Sequence, residues 1–492
     1  MNDILEKNYI NNIDNLTCDY LVVGAGASGS VAAYELIKQK KDVILIEEGN
    51  HYTIDHFKGS IANSFSKVWR NAGVTPIIGK PFFAYGEGMC LGGGTYINGG
   101  LLWRTPDHVL NAWQKKLNTS IYNKNNLAPF FNKIEKKLNV KLEQEENESN
   151  NDSKILSEMA KKHNIKSVLV PRAIKNCKRF NKCTTGCVSG AKQSTLQAYI
   201  YQAAELGLRI LKNAKAEKII LNNNIPYELK IKVRNKYTNI KFGKIILACG
   251  PIQTPLLLKK SFGNSCIKSK MQIHLNLRLN ILFNQKLNSH FGTIFTRQIQ
   301  EYLSDGILFM PANFSESYLF SSLSNLNNQQ INELGKKINN MATYVMQLKT
   351  SSEVTINKFH NEPLLFYILN DYDFDKIKKF LNLFTKMMFD MGAEKIYLPF
   401  KNNYSAKNLN DVENILLKIK KKDIDAVSVH GMSSASMSIQ KEDNTFFNID
   451  GKSFQYENLF CVDASILPSN TTESPQGTIM AIAHSIMARE IK

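Results

Sequence analysis

No apolar run in this chain approaches the ~20 residues that a membrane helix needs. The first stretch, MNDILEKNYINNIDNLTCDY, lacks the apolar core of a signal peptide. These absences argue against a spanning helix and against export, so the expected compartment is the cytoplasm. In a reducing compartment the eight cysteines are expected as thiols and not as a disulfide framework. No internal repeat is present, and no compact Lys/Arg block. The formal net charge of +19 suits nucleic acid, an anionic membrane surface or an acidic partner. Without a block of basic residues, a compositional bias spread over the surface accounts for it better.

What is there is a chain of 492 residues, 43% hydrophobic, with ample material for cores. The length fits two or three domains, or one large domain with insertions. DYLVVGAGASG is an apolar strand running into a Gly-rich turn, SVAAYELIKQK has helical spacing, and DVILIEEG is a second buried strand ending in acid. Gly24 permits the tight turn, Gly26 lets backbone approach a pyrophosphate, and Gly29 lets helix and strand pack closely. The free N–H groups and positive dipole of the helix start then face the phosphate. Glu47 is placed to accept hydrogen bonds from a ribose diol. Strand, turn, helix, strand and terminal acid together make a strong dinucleotide signal, where the glycines alone would be weak.

YGEGMCLGGGTYINGGLLWRTP (85–106) is too glycine-rich for a packed strand or helix. Its Tyr, Ile, Leu and Trp do not suit a flexible linker, so backbone lying close to a flat ligand is the better reading. LAPFFNKIEKKL reads as an amphipathic helix, and the following KLEQEENESNNDSK as a polar surface loop. Residues 194–206 look helical. KIILACGPIQTP is a buried strand breaking into a turn at Gly250-Pro251. HLNLRLNILF, MATYVMQLKT, EVTINKF and PLLFYIL have strand composition, and DFDKIKKFLNLFTKMMFDMG is a helix with a glycine stop. The tail holds the strand NLFCVDAS, a Pro-bounded turn and the helix PQGTIMAIAHSIMAREI. Nucleotide-type elements at both ends and in the middle, with strand-rich material between, imply a discontinuous cofactor domain.

One histidine, His430, stands among small residues in VSVHGMSSASMS. Those neighbours offer little to pack, which leaves the imidazole free. Cys177-x5-Cys183-x3-Cys187 places three candidate ligands in 11 residues. A metal or iron–sulfur site would want a fourth, so structural thiols are expected and no metal.

In order along the chain, VVGAGASGS with Glu47, CLGGGTYINGG, LAPFFNKIEKKLNV, LACGPIQTPLLLKKS, His430 through Met437, and VDASILP followed by SPQGTIMAIA resemble the glucose–methanol–choline family of flavin oxidoreductases. CTTGCVSGAKQST likewise resembles a segment of alcohol-oxidising relatives. The spans near 275–425 resemble the family only loosely.

The resemblance implies an α/β fold: a Rossmann-like FAD-binding domain, residues 1–126, 194–274 and 426–492, and an interleaved α+β substrate domain, 127–193 and 275–425, on a mostly antiparallel sheet. It implies FAD and hydride transfer from an alcohol CH–OH to flavin N5, with His430 taking the hydroxyl proton. The expected cofactor residues are Gly24, Gly26, Ala27, Ser28, Gly29, Glu47, Gly92, Gly93, Asn98, Gly99, Gly100, Ala216, Gly250, Asp463, Ala464, Pro475, Gly477 and Thr478. Asp463 is expected at ribityl hydroxyls or the pyrophosphate. Gly477 and Thr478 open a helix whose positive end suits the reduced flavin's anionic edge; the alternative is an ordinary helix capped by Ser474.

Two departures stand out. Relatives have a second His or an Asn where this chain has Ser474, leaving Ser474 as candidate partner of the substrate hydroxyl, with Glu473 or Asn470 as substitutes. Ile97 stands where some relatives attach flavin to a histidine, so FAD is expected to be noncovalent. His274 resembles a family histidine and is assigned to the fold. The partners expected are a small-molecule alcohol and an electron acceptor that is dioxygen, a quinone or a carrier protein, with no nucleic acid. A flavin-containing lyase or decarboxylase on this scaffold, and a noncatalytic basic binding protein, are the rival readings.

Overall fold

The computed structural model describes residues 2–58, 60–142, 150–312, 316–323, 326–360, 362–402, 404–442 and 444–491. Two large sheets organise it. The first has seven strands, in the order Arg209–Leu211, Val43–Ile46, Leu16–Val23, Lys236–Leu247, Ile225–Val233 and Ala214–Asn222, with Leu459–Cys461 beside Lys236–Leu247. The pairings around Leu16–Val23 are parallel, as strands buried on both faces require. Val43–Ile46 is buried along its whole length.

The glycine fingerprint takes the geometry expected of it. Gly24 has φ +104°, and a Cβ there would lie 2.3 Å from the Ala248 carbonyl oxygen. A Cβ on Gly29 would lie 1.8 Å from the Gly24 carbonyl oxygen, so only glycine lets helix Ala27–Lys38 pack against the turn. At Gly26 a Cβ would meet nothing within 4 Å.

The second sheet has twelve strands and is mostly antiparallel. Its longest members are Lys270–Phe283 and Met341–Phe359, paired antiparallel from Lys270↔Thr355 to Leu282↔Met341. Alternation divides the first of these. Leu275, Leu277, Leu279 and Ile281 are fully buried in the second core, while His274, Asn276, Arg278 and Asn280 occupy the opposite face. Helix Asp371–Asp390 covers that core with Ile377, Phe380, Leu381 and Phe384, and Phe384 stacks on Phe309 at 4.2 Å between centroids.

Some segments depart from their expected places. Helix Lys124–Lys137 buries Leu127, Phe131 and Ile134 in the first core and packs against Gln476–Glu490; its apolar stripe belongs with the cofactor half. Strands Thr75–Lys80, Phe83–Tyr85, Val427–Ser428 and Gly431–Met432 belong to the second sheet although the sequence around them serves the first. Of the polar segment at 141–154, residues 143–149 lie outside the described residues. From Asn151 the chain is helical, to Lys162, with Asp152 and Ser153 buried. Polarity there marks a helix start fastened inward, through Ser153 Oγ to Thr296 Oγ1 at 2.6 Å and Thr293 N to Asn150 Oδ1 at 3.2 Å. Among the described residues no helix is long and apolar enough to cross a membrane.

Candidate active site

A cavity of about 810 Å³ runs between the two sheets, within the size range of cofactor and ligand sites. Of the residues singled out from sequence, Gly24, Gly26, Ala27, Ser28, Glu47, Gly93, Asn98, Gly99, Ala216, Gly250, Asp463, Ala464 and Pro475 line it, as do His430, Ser474 and Ile97. Gly29, Gly92, Gly100, Gly477 and Thr478 stand behind its wall. Gly29 works by packing, and Gly92 (φ +89°) and Gly100 (φ +78°) shape the turns on either side of the short helix Gly93–Ile97. Thr478 shares a hydrogen bond with Thr105, 2.8 Å between hydroxyls.

At the glycine fingerprint Gly24, Gly26 and Gly250 line the cavity without side chains, with Glu47 beside them. The Glu47 carboxylate accepts from Ala25 N and Gly49 N, both at 2.9 Å. Burial pushes its pKa up to about 7 against those two bonds. Next to it, Arg70 forms a two-pronged bond to Glu48 (3.1 and 2.7 Å) and donates through Nε to Glu87 at 2.8 Å. Burial would raise Glu48, but the Arg70 pairing outweighs it and the net shift is downward. Sequence reasoning passed over this cluster because Arg70, Glu48 and Glu87 meet only in three dimensions.

Asp463 acts as a knot. Its Oδ2 accepts from Gly250 N (2.9 Å) and Thr254 Oγ1 (2.5 Å), and its Oδ1 from Ser465 N (2.8 Å). It thereby joins the turn after Lys236–Leu247 to the turn after Leu459–Cys461. Asn98 is held from both sides: its amide donates to Gln476, its Oδ1 accepts from Gly100 N at 2.9 Å, and its carbonyl accepts from Lys192 Nζ at 2.8 Å. Lys192 is buried, donates also to the Cys183 carbonyl at 2.7 Å, and is pushed by desolvation down to about 8. Buried Arg172 donates to the Gly99 carbonyl at 3.1 Å. Two buried cations thus grip successive carbonyls of the glycine segment.

Helix Gln476–Glu490 has Pro475 at its cap position and no side-chain cap bond. Ser474 therefore does not cap it, because proline already supplies the first-turn geometry; Ser474 instead lines the cavity. Glu473 does not line it: its carboxylate accepts from Gln298 (2.9 and 2.8 Å) and Gln300 (2.7 Å), and burial raises its pKa to about 7. Asn470 is likewise spent on backbone, accepting nothing from the cavity and donating toward the Ile273 and Thr350 carbonyls.

The small residues around His430 turn out to be packed. A Cβ on Gly431 would lie 2.4 Å from Met271 Sδ and 2.8 Å from the Tyr85 hydroxyl. Ser433, Ala435 and Met437 donate backbone N–H groups to Ala464, Ser465 and Ile466 at 2.8–2.9 Å, so this run lies along the VDASILP segment. His430 is not free either. Its Nδ1 lies 3.1 Å from Nδ1 of His274, while the ring borders the cavity. Burial alone pushes His430 down to about 4. His274 was assigned to the fold from sequence. A usable signal was the alternation in HLNLRLN, since His274 shares its strand face with the cavity residues Asn276 and Arg278.

From the second sheet Asn276, Arg278, Met310, Val345 and Gln347 line the cavity, with Phe295 from the segment before Arg297–Ile299, a mixed apolar and polar surface. Cys177, Cys183 and Cys187 are free thiols, and among the described residues no group of three His, Cys, Asp or Glu side chains has the arrangement of a metal site.

Comparison with known proteins gives one consistent result. Two family models, both described as GMC oxidoreductase, match residues 18–279 and 350–483. The GMC-type oxidoreductase y4nJ of Sinorhizobium fredii is 26% identical over 483 residues, 96% of this chain and 94% of that one. The long-chain-alcohol oxidase FAO4B of Arabidopsis thaliana is 24% identical over 520 residues, covering 97% of this chain and 68% of its own. Among solved structures, pyridoxine 4-oxidase from Mesorbium loti superposes with a TM-score of 0.74 at 14% identity, covering 96% and 99% of the two chains. Formate oxidase of Aspergillus oryzae gives 0.75 at 12% identity, covering 98% and 100%.

Proposed function

The chain belongs to the GMC oxidoreductase family, whose cofactor is FAD, and from that premise we propose that it oxidises a CH–OH group of a small-molecule alcohol, with His430 as the base. The cavity wall fits the cofactor: Gly26 leaves open space where any side chain would intrude, and the helix start beside it offers backbone N–H groups. Gly24, Gly26 and Glu47 would hold the adenosine and pyrophosphate end. Gly93, Asn98, Gly99, Asp463 and Pro475 would hold the flavin end. Ile97 has no atom that attaches covalently to a flavin, in keeping with noncovalent binding.

The observation that carries the proposal is His430 itself, a neutral imidazole at the cavity wall between the two halves. When bound, FAD supplies an acceptor for the two electrons that leave the alcohol carbon as hydride. Carbon releases hydride readily only as its oxygen gives up a proton, and a neutral imidazole with an open lone pair is a group that can take that proton. Ser474, on the same cavity wall, offers a hydroxyl to hold the substrate oxygen. The aliphatic and aromatic share of the lining, Phe295, Met310 and Val345, suits an alcohol with an apolar body, with Asn276, Arg278 and Gln347 receiving its polar groups. The relatives named for long-chain alcohols and for pyridoxine support this substrate class.

The test is an anaerobic panel of linear primary alcohols, benzyl alcohol, pyridoxine and hexoses, followed by admission of air. Bleaching of the yellow colour by at least one alcohol is expected, with the matching carbonyl formed. Product formed with the colour unchanged would replace this reading by the lyase. Absence of flavin from the purified protein, together with salt-sensitive binding to DNA or anionic vesicles, would replace it by the binding protein.

A further inference from the structure

His274 is fully buried and lies outside the cavity lining, yet its Nδ1 reaches Nδ1 of His430, whose ring borders the cavity. Its surroundings define its protons. Nε2 lies 2.6 Å from the Thr471 carbonyl oxygen, and a carbonyl only accepts, so Nε2 carries hydrogen. A neutral imidazole has one N–H, so Nδ1 of His274 is a bare lone pair. That lone pair faces Nδ1 of His430 at 3.1 Å, with the rings at 88° to each other. The contact needs one donor, and His430 Nδ1 must be it. His430, neutral as well, then keeps its lone pair on Nε2, which has no hydrogen-bond partner among the described residues.

Both rings are held neutral. Burial drives His274 well below its ordinary value, with His430 and Lys349 pushing the same way against the Thr471 bond. Lys349 is the charged group on the neighbouring strand, directly opposite His274 in register. The backbone fixes the pair further, as His274 N donates to the His430 carbonyl at 3.2 Å.

We infer that His274 is a positioning residue that locks His430 in the Nδ1-protonated tautomer and so makes Nε2 the basic nitrogen presented to the substrate hydroxyl. The inference rests on the reading of His430 as base. Without the lock, His430 is free to carry its hydrogen on Nε2 and meet the substrate with a donor. In the step itself the hydroxyl proton passes to Nε2 of His430, the Nδ1–H stays donated to His274, and His274 gains and loses nothing.

The test reads the protons directly. In protein labelled with ¹⁵N-histidine, two-bond ¹⁵N–¹H correlation distinguishes protonated from bare ring nitrogens, with signals assigned through His430→Gln and His274→Gln. Hydrogen on Nδ1 of His430 and on Nε2 of His274 is expected. In His274→Leu, His430 should shift to a mixture or to the Nε2–H form. His274→Asn, whose amide oxygen replaces the lost acceptor, should restore Nδ1–H. An Nε2–H tautomer of His430 in the unaltered protein overturns the inference, and so does an unmoved tautomer in a folded, yellow His274→Leu. If the leucine variant does not fold, the unaltered protein and His274→Asn still decide.

Kinetics separate this inference from the reading beneath it. With the alcohol that bleaches the flavin fastest, His274→Leu should slow anaerobic reduction about 10–100-fold, less than loss of the base itself, and His274→Asn should recover most of it. In a His430→Gln background the leucine change should cost nothing more. A further loss there overturns the positioning role and leaves the base intact. Full activity of His430→Gln alone removes the base and leaves the tautomer assignment to the spectra.

Discussion

At one end the cavity lining includes Gly24, Gly26 and Gly250, which have no side chain; at the other, Asn276, Arg278 and Gln347 project from a sheet. The first region achieves its shape by leaving atoms out, since a Cβ on Gly24 or Gly29 would strike backbone. The second achieves it by what alternates inward along a strand. A lining of closely packed glycines tolerates little substitution, and under the proposed function it would hold what is common to all turnovers. A wall made of side chains is free to vary without disturbing the fold, which is where a family differing in substrates has room to differ.

The sharpest break in that comparison is Gly29→Val. Its side chain would overlap the Gly24 carbonyl, so loss of bound flavin or of folding is expected, read from visible absorbance and thermal melting. A yellow, stable variant would show that the fingerprint tolerates side chains after all.

His430→Ala follows, with kcat/KM lowered about 10²–10⁴-fold and flavin retained. The pH profile sharpens it. As the proposed base, His430 would work only when neutral, and its pKa is depressed from the usual 6.5 to about 4. Activity should therefore persist as pH falls through 6.5 and disappear as it falls through about 4. An acid limb at 6.5 would place His430 in solvent-like surroundings.

On the substrate wall, Met310→Ala should leave flavin content untouched and change the ranking of alcohols by about 10–200-fold, the worth of a few methylenes in an apolar pocket. A loss of flavin instead would erase the distinction between the two walls. Ser474→Ala is expected to cost least, up to about tenfold in kcat/KM, the worth of one hydrogen bond to the substrate oxygen.

The contrast also explains what could be read beforehand. Gly24, Gly29 and Gly250 were legible because backbone conformation and close packing demand glycine there. Residues 274–283 were legible as strand from alternation, 341–350 and 353–359 from composition, and 373–392 as a helix ending at a glycine, inside or overlapping the elements Lys270–Phe283, Met341–Phe359 and Asp371–Asp390. The Arg70–Glu48–Glu87 cluster was not, since nothing local marks it. The meaning of the small residues at 431–437 was missed for the same reason: their partners, Met271, Tyr85 and Ala464–Ile466, come from other parts of the chain. His274 was visible as a residue but its contacts were not, because a hydrogen-bond chain of two rings and a carbonyl exists only once residues 274, 430 and 471 meet.

The path of the chain has a practical consequence. It leaves the first sheet for Thr75–Lys80, Phe83–Tyr85 and Ser167–Leu169, returns at Arg209–Leu211, leaves again at Lys270–Phe283, and stays with the second sheet through Gly431–Met432 before ending in the first at Leu459–Cys461. A chimera that borrows a relative's pocket cannot be spliced at one junction. It must carry both excursions, with four crossings between the sheets, or the recipient will inherit a lining without the frame that aims it.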